Sequence, residues 1–359
     1  ELAEHGQVEL AMSPYAHPIV PLLLDIETAR DAMPDITMPQ LQEYPGGEER
    51  ADWHIKEGIA TFEQYFGSRP TGCWPSEGGV SAAALKKLEE HGFDWAASGE
   101  SVYRHSQANA ENASLQGCSL YQGFRSNGGK LACFFRDDGL SDLIGFTYSD
   151  WHADDAVSNL IEHLENIAAS TRGQDNPLVS IILDGENAWE HFPENAYYFL
   201  NTLYQRLSEH ADLKMTTYSE YLSSARKLPD IKRLVSGSWV YGTFSTWIGD
   251  KDKNRGWDML ADAKKAFDLT VMEDRLSGDQ MLAAQHQLSI CEGSDWFWWF
   301  GVYNSADTVS DFVRLFRVHL SNLYTMLGKE PPEYLSMVFA HGGGSPAQSG
   351  VMRKGQYAG

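Results

Sequence analysis

Short apolar runs alternate with amphipathic helical stretches through the first two-thirds of the chain. The run at 71–75 leads through two glycines to a helix predicted at 81–90, and another strand-like run follows at 93–97. Further on, the run at 177–183 (PLVSIIL), apolar apart from one serine, has the composition of a strand buried on both faces of a parallel sheet. Alternation of this kind over about 230 residues predicts an α/β fold, either a barrel or an open sheet.

The residues that follow two of these runs favour the barrel. The sequence WPSE at 74–77 and the sequence DGEN at 184–187 each come directly after a predicted strand. In α/β barrels the carboxyl ends of the strands carry the residues that do chemistry. We therefore predict a barrel with its functional site at that edge.

The last third of the chain has a helical pattern. Helices are predicted at 257–267, 282–289 and 309–327, and the third has a continuous apolar stripe. We expect these helices to pack on the barrel. The predicted division is a catalytic barrel over 1–235, a helical subdomain over 236–332 and a tail over 333–359.

The charge balance argues against polyanionic partners. Fifty acidic and 28 basic residues give a net charge of −22, and no basic run is present. Because binding to phosphate groups requires clustered Lys and Arg, we expect no nucleic-acid partner and no anionic membrane partner. No apolar run approaches the ~18–20 residues of a membrane helix. Aromatic residues make up 12% of the chain, and exposed aromatic rings suit stacking on sugar rings.

Cysteine and histidine spacing gives no sign of a metal or a disulfide framework. The four cysteines lack CxxC spacing, and the histidines lack HxH and HxxxH spacing. The motifs of serine hydrolases, P-loop NTPases and dinucleotide-binding enzymes are also missing. We expect no metal and no cofactor. Reduced thiols and the lack of a visible leader peptide favour a cytoplasmic protein.

Two carboxylates are the candidates for catalysis. Glu77 lies between a Trp-Pro pair and two glycines, as a rigidly held nucleophile would, although an acid that stabilises the next helix dipole is equally compatible with this pattern. Asp184 emerges from an apolar run, where partial desolvation raises a carboxyl pKa and suits a general acid; its alternative role is a helix cap. Such pairs are separated by ~5–5.5 Å in retaining glycosidases and ~6.5–9.5 Å in inverting ones.

Four segments in order resemble motifs of glycoside hydrolase family 57. Residues 6–23 resemble the second family motif, 72–78 the third, 183–190 the fourth and 238–257 the fifth. The likeness continues through 292–299 and so covers nearly the whole chain. It implies an incomplete (β/α)7 TIM-like barrel followed by a C-terminal helical bundle, and an α-glucan as the partner.

The resemblance also implies roles for individual residues. Glu77 would be the nucleophile and Asp184 the acid/base of a metal-free retaining mechanism with a glycosyl-enzyme intermediate. Substrate-binding roles are implied or expected for His17, Trp74, Arg136, Asp137, Trp239, Trp247 and Asp295. A structural ion pair is an equal alternative for Arg136, and packing between barrel and bundle is an equal alternative for Trp239.

The implied function is hydrolysis of α-glucans by an enzyme of the α-amylase or amylopullulanase type. A 4-α-glucanotransferase or branching enzyme would use the same two acids, with a sugar hydroxyl in place of water. A deacetylase or mannosidase on a related barrel would need a cluster of His and Asp ligands that the sequence does not show. An inactive glucan-binding fragment is a further alternative. The family's first motif has no counterpart here, so we expect the first barrel strand to be missing.

Overall fold

The computed structural model describes residues 2–185, 187–224 and 227–344. Its strands are β1 (Ala11–Met12), β2 (Gly72–Cys73), β3 (Trp95–Ser98), β4 (Arg125–Ser126), β5 (Ala132–Phe135) and β6 (Asp230–Ile231). Strands β1, β2, β3 and β5 form one parallel sheet in that order, and β4 pairs in parallel with β6. Every residue of β3 and β5 is buried, as expected for a sheet covered on both faces.

Helices connect the strands and form the C-terminal region. They are α1 (Val20–Leu24), α2 (Gly47–Phe66), α3 (Ala82–Glu90), α4 (Glu100–Ala108), α5 (Asp138–Phe146), α6 (Ala153–Ser170), α7 (Asn187–Glu190), α8 (Tyr197–Ser208), α9 (Tyr218–Ser224), α10 (Lys251–Met272), α11 (Gly278–Cys291), α12 (Asp295–Trp299) and α13 (Ala306–Met326). The α/β class with a parallel sheet and a helical C-terminal region is confirmed. None of the helices in the described part of the chain has the length and hydropathy needed to cross a membrane.

Local signals account for the element that leads away from the candidate nucleophile. Helix α3 begins after Ser81, whose Oγ accepts a hydrogen bond from the backbone N–H of Ala84 at 3.1 Å. Such a cap satisfies one of the N–H groups that a helix start leaves unpaired. The helix buries Leu85 and Leu88 against the sheet, as the apolar spacing predicts.

The prediction of a strand at 177–183 is wrong. The segment is extended and partly buried, but it does not form a regular ladder with β5. The Ser180 carbonyl accepts a bond from the Asp137 backbone N–H at 2.8 Å, and the Ile182 N–H donates to Ser141 Oγ at 3.2 Å. Both partners lie beyond the end of β5, at the start of α5. A partner already turning into a helix cannot offer the regular N–H and C=O spacing of a strand.

The C-terminal helices share one core with an early segment of the chain. The ring of Trp257 on α10 stacks on Phe297 on α12, with centroids 4.6 Å apart. Buried residues between Ile19 and Tyr44 belong to the same apolar cluster. The helical region is therefore packed against the chain that follows β1. Of the predicted tail at 333–359, residues 345–359 lie outside the described residues.

Candidate active site

Glu77 occupies a strained turn at the carboxyl end of β2. It lies in the 3-10 turn Ser76–Gly78 with φ +58° and ψ +26°, a left-handed conformation that costs energy for a residue with a Cβ. Gly78 also has positive φ, and a Cβ there would lie 2.8 Å from the ring of Trp74. Strain held in place by close packing is common at functional sites. The geometry supports a functional role for Glu77.

Trp239 holds the carboxylate of Glu77. The indole Nε1–H donates to Glu77 Oε2 at 3.0 Å, and the Trp239 backbone N–H donates to the Glu77 carbonyl at 3.1 Å. The ring of Trp74 meets Trp239 edge-on, with centroids 5.3 Å apart. Three residues predicted to bind substrate or react with it are therefore in one contact group. Both tryptophans are partly exposed, as a sugar platform requires.

Arg136 lies behind this group, at the end of β5. Its guanidinium is buried, pairs with Asp138 and Asp142 at 2.8 Å each, and donates from Nε to the Ile182 carbonyl at 2.8 Å. Its central carbon lies 5.3 Å from the centroid of the Trp239 ring. An arginine that is ion-paired and close to an aromatic ring is fixed in position. Arg136 therefore links the segment around Ile182 to Trp239.

This link brings the segments of the two candidate acids to one edge of the sheet. Asp184 is partly buried and follows Ile182 in the same extended segment. Ile182 bonds Arg136, Arg136 contacts Trp239, and Trp239 bonds Glu77. The neighbouring Glu186, which belongs to the predicted motif, lies outside the described residues.

Asp137 is occupied by hydrogen bonds within the protein. Its Oδ1 accepts the Leu140 N–H at 2.8 Å and so caps α5, and its Oδ2 accepts the hydroxyl of Tyr121 at 3.1 Å. Burial and the charge of Asp137 raise the pKa of Tyr121 above its usual value. In this arrangement Asp137 orders the start of α5 beside the site.

Asp138, which the sequence did not single out, is a buried acid near the site that shares its cationic partner with a second carboxylate. Burial raises its pKa to about 6, and the charges of Glu100 and Asp142 add to this effect against the opposing influence of Arg136. Its Oδ2 has no hydrogen-bond partner among the residues that the structure describes. We refer to Arg136, Asp138, Asp142 and Glu100 as the Arg136 cluster.

His17 is bonded to Ser294, the residue that precedes Asp295. His17 has φ +56°, its Nδ1 is 2.9 Å from Ser294 Oγ, and its carbonyl accepts the Ser294 N–H at 3.0 Å. Asp295 follows Ser294 and is exposed at the first position of α12. Like Glu77, His17 has a left-handed backbone conformation. It is therefore a second strained position among the predicted site residues.

A buried ionic network anchors the segments that contain His17 and Ser294. Glu292 is 1% exposed, pairs with Arg50 and His54 at 2.7 Å each, and accepts the hydroxyl of Tyr44 at 2.6 Å. Burial alone would raise the pKa of Glu292, but Arg50 and His54 lower it to about 2. His54 Nδ1 also lies 2.6 Å from the carbonyl of Tyr15. We refer to Glu292, Arg50, His54 and Tyr44 as the Glu292 cluster.

Trp247 lies in the core of the helical region. It has no exposed surface, and its carbonyl accepts the indole N–H of Trp257 at 3.0 Å. Its own Nε1 is buried with no hydrogen-bond partner in the described part of the chain.

The cysteines and the other residues that could bind a metal ion are scattered in the described part of the chain. Within residues 2–185, 187–224 and 227–344, no three His, Cys, Asp or Glu side chains are grouped to hold a metal ion. Three of the four cysteines are buried, and burial raises the pKa of the Cys73 thiol and that of Cys133, the latter to about 12. Buried thiols with such raised pKa values are unreactive.

Three enzymes are among the proteins whose solved structures share this fold. The branching enzyme from Thermococcus kodakaraensis matches with a TM-score of 0.63 and 16% identity over 90% of this chain and 66% of that one. The branching enzyme from Pyrococcus horikoshii matches with a TM-score of 0.66 and 14% identity, over 93% of this chain and 69% of that one. The α-amylase AmyC from Thermotoga maritima matches with a TM-score of 0.64 and 15% identity, over 93% of this chain and 70% of that one. The chain thus spans about two thirds of the length of these enzymes, whose fold matches the predicted (β/α)7-type barrel with a helical C-terminal region.

The comparison of sequences is more specific than the comparison of folds. No curated protein sequence matches this chain. The profile of Glycosyl hydrolase family 57, however, matches residues 1–233, which contain both Glu77 and Asp184. The match covers well over half of the chain and agrees with the motifs found in the sequence. The chain belongs to glycosyl hydrolase family 57.

Proposed function

We propose that this chain is a retaining glycoside hydrolase that acts on α-glucans such as starch, glycogen and maltodextrin. The observation that carries the proposal is the position of Glu77, in a strained turn with its carboxylate bonded to Trp239 at 3.0 Å. A carboxylate fixed beside aromatic rings, at the sheet edge that also carries Asp184, suits attack on a sugar bound against those rings.

The two acids would divide the reaction between them. A carboxylate oxygen of Glu77 forms a bond to the anomeric carbon while the glycosidic C–O bond breaks, and Asp184 gives its proton to the leaving oxygen. Asp184 then takes a proton from water, and the water oxygen replaces Glu77 on the anomeric carbon. Two displacements restore the original α configuration.

The other predicted residues would hold or support the sugar. Trp74 and Trp239 offer partly exposed rings, and His17 and the exposed Asp295 offer hydrogen-bonding groups to sugar hydroxyls. Arg136, Asp137 and Trp247 are buried, so in this proposal they act on the substrate through the elements that they hold.

The test is release of reducing sugar from amylose and pullulan by the parent, Glu77→Gln and Asp184→Asn. We expect each variant to lose at least about 10³-fold in rate, because each removes a group that acts in bond cleavage. Glu162→Gln, an exposed acid on α6, is the matched control and should leave the rate unchanged. A parent with no activity on any α-glucan, or variants that retain the parental rate, would contradict the proposal.

Azide separates the roles of the two acids. Asp184→Ala should regain activity on an aryl α-glucoside when azide replaces water, since the activated leaving group needs no acid. The product should be the α-glycosyl azide, because Glu77 still performs the first displacement. A β-glycosyl azide from this variant would overturn the retaining assignment.

Transfer to a sugar hydroxyl is the second candidate. Two of the structural matches are branching enzymes, and one of those structures is a complex with glucose. The same two acids would serve a 4-α-glucanotransferase or a branching enzyme, with the acceptor hydroxyl in place of water. Longer or branched products without new reducing ends would favour this activity over hydrolysis.

A further inference from the structure

A cavity of about 300 Å³ lies between the beginnings of α6 and α8, outside the contact group of Glu77. Its lining is mostly aromatic with a few polar side chains, and includes Tyr148, Trp151, His152, Asp154, Phe192 and Tyr198. Pockets of this composition bind small organic groups through apolar faces and a few hydrogen bonds. None of these residues takes part in the proposed reaction.

The topology places this cavity on the rim of the candidate active site. Helix α6 precedes the extended segment 177–183 and helix α8 follows the loop after it, and the two helices pack against each other. A helix that precedes a strand-like segment runs antiparallel to it, so α6 begins at the end of the sheet where Asp184 leaves. The ring of Phe192 in the cavity wall lies 5.7 Å from Trp189, in the helix that follows the Asp184 loop.

The lining matches a neutral ligand with flat apolar faces and hydroxyl groups. Trp151 is 43% exposed and Tyr198 is 58% exposed, while His152, Asp154 and Thr202 supply polar groups. The first turn of α6 is acidic and the chain carries a charge of −22, which disfavours an anionic ligand. Sugar rings have apolar faces and hydroxyl edges, and aromatic side chains with a polar tip suit such surfaces.

We propose that this cavity binds glucosyl units of an α-glucan chain at a distance from the bond that is cut. The identity of the ligand rests on the proposed function, whereas the location rests on the cavity itself. A long glucan would then contact the protein at both the Glu77 group and the cavity rim. A short oligosaccharide that contacts only Glu77, Trp74 and Trp239 would not reach the cavity.

Substrate length provides the first test. We expect Trp151→Ala and Tyr198→Ala to lower kcat/KM on amylose by about tenfold each, the loss that removal of one stacking ring typically gives. The value on the shortest maltooligosaccharide that is cut should not change. Tyr204→Ala is the matched control, because Tyr204 lies on the same helix α8, is 57% exposed and does not line the cavity.

Binding without turnover provides the second test and separates the two proposals. In a Glu77→Gln background, migration in glycogen-containing gels should be retarded, and Trp151→Ala should reduce the retardation while Trp151→Phe restores part of it. If the parent cleaves no α-glucan but Trp151→Ala still weakens glycogen binding, the proposed function fails and the cavity site stands.

Two outcomes would overturn the cavity site alone. One is an active parent in which both cavity variants match Tyr204→Ala on amylose and on glycogen gels. The other is a change in sedimentation that shows the exposed rings to be a contact between two copies of the chain. Thermal unfolding of each variant checks the fold, and Tyr198→Ala serves where Trp151→Ala is unstable, since Tyr198 is the more exposed residue.

Discussion

Two buried charge clusters lie beside different groups of the predicted site residues, one beside His17 and Ser294 and the other beside Trp239, and they are balanced differently. In the Glu292 cluster, one carboxylate accepts bonds from Arg50, His54 and Tyr44. In the Arg136 cluster, one guanidinium faces two carboxylates, with a third nearby. The pKa of Glu292 falls to about 2, whereas that of Asp138 rises to about 6. Burial is similar, so the number of partners determines the direction of the shift.

The opposite pKa shifts mean that the ionised carboxylate of Glu292 stabilises the fold, whereas the ionised carboxylate of Asp138 destabilises it. Breaking a buried pair leaves an uncompensated charge, which is costly, but removing an excess charge is not. The Glu292 cluster joins α2 to the loops of His17 and Asp295. The Arg136 cluster lies next to Trp239, the residue that bonds Glu77. Its guanidinium keeps Trp239 in position, but the cluster contains more carboxylates than cations.

The largest expected effect is that of Glu292→Gln. The amide removes the negative charge that Arg50 and His54 face, and we expect a loss of about 3–5 kcal/mol in the free energy of unfolding at pH 7. Urea denaturation measures it. Glu273→Gln is the control, because Glu273 forms an exposed pair with Arg275 that is worth at most about 1 kcal/mol. Equal losses in the two variants would mean that the Glu292 cluster does not stabilise the fold.

Acid should weaken the parent through the same carboxylate. The pKa of Glu292 is about 2 in the folded chain and 4.5 as its ordinary value. Its contribution is therefore complete above pH 4.5 and is lost as the pH falls towards 2. We expect up to about 3 kcal/mol of the free energy of unfolding to disappear in this window. The difference between the parent and Glu292→Gln, measured by urea denaturation at each pH, should shrink accordingly, and a constant difference would exclude this mechanism.

Arg136→Lys tests how the other cluster acts on the site. The guanidinium bonds Asp138, Asp142 and the Ile182 carbonyl from three different nitrogens, and the single nitrogen of a lysine cannot reproduce this geometry. We therefore expect a loss of about 2 kcal/mol in the free energy of unfolding. As a positioning residue, Arg136 acts through Trp239. On amylose, kcat should therefore fall more than KM rises. A variant that loses stability but keeps the parental kcat would restrict Arg136 to a purely structural role.

The sequence predicted the parts of this architecture that depend on neighbouring residues. Alternating apolar runs are a local signal, and the parallel sheet and helix α3 follow from them. The left-handed conformation of Glu77 was not predicted, although the glycines after it indicated a rigidly held residue. The segment at 177–183 has the composition of a strand, but its partner has already turned into α5. The composition of 177–183 does not reveal the conformation of the segment that it pairs with, so the absence of a regular strand could not be predicted.

The supporting clusters could not be predicted, because they join residues that are far apart in the chain. Arg50 and Glu292 are 242 positions apart, and His17 and Ser294 are 277 positions apart. Nothing near Arg50 in the sequence distinguishes it from a surface arginine. The family resemblance supplied His17 and Asp295, but it did not supply the network that anchors their loops.

The smallest effect, and the sharpest contrast with Glu292→Gln, is expected for Asp138→Asn. Because the pKa of Asp138 is about 6 in the folded chain and 3.8 ordinarily, its ionisation lowers stability as the pH rises from 3.8 to 6. An asparagine keeps an oxygen for Arg136 without the charge. We expect the free energy of unfolding at pH 7 to be unchanged or to rise by about 1 kcal/mol. Between pH 4 and 6 it should depend less steeply on pH than in the parent. Asp311→Asn, at an exposed site, should leave this pH dependence unchanged. A loss of several kcal/mol in Asp138→Asn would show that Arg136 needs both carboxylates, and the two clusters would then be stabilising in the same way.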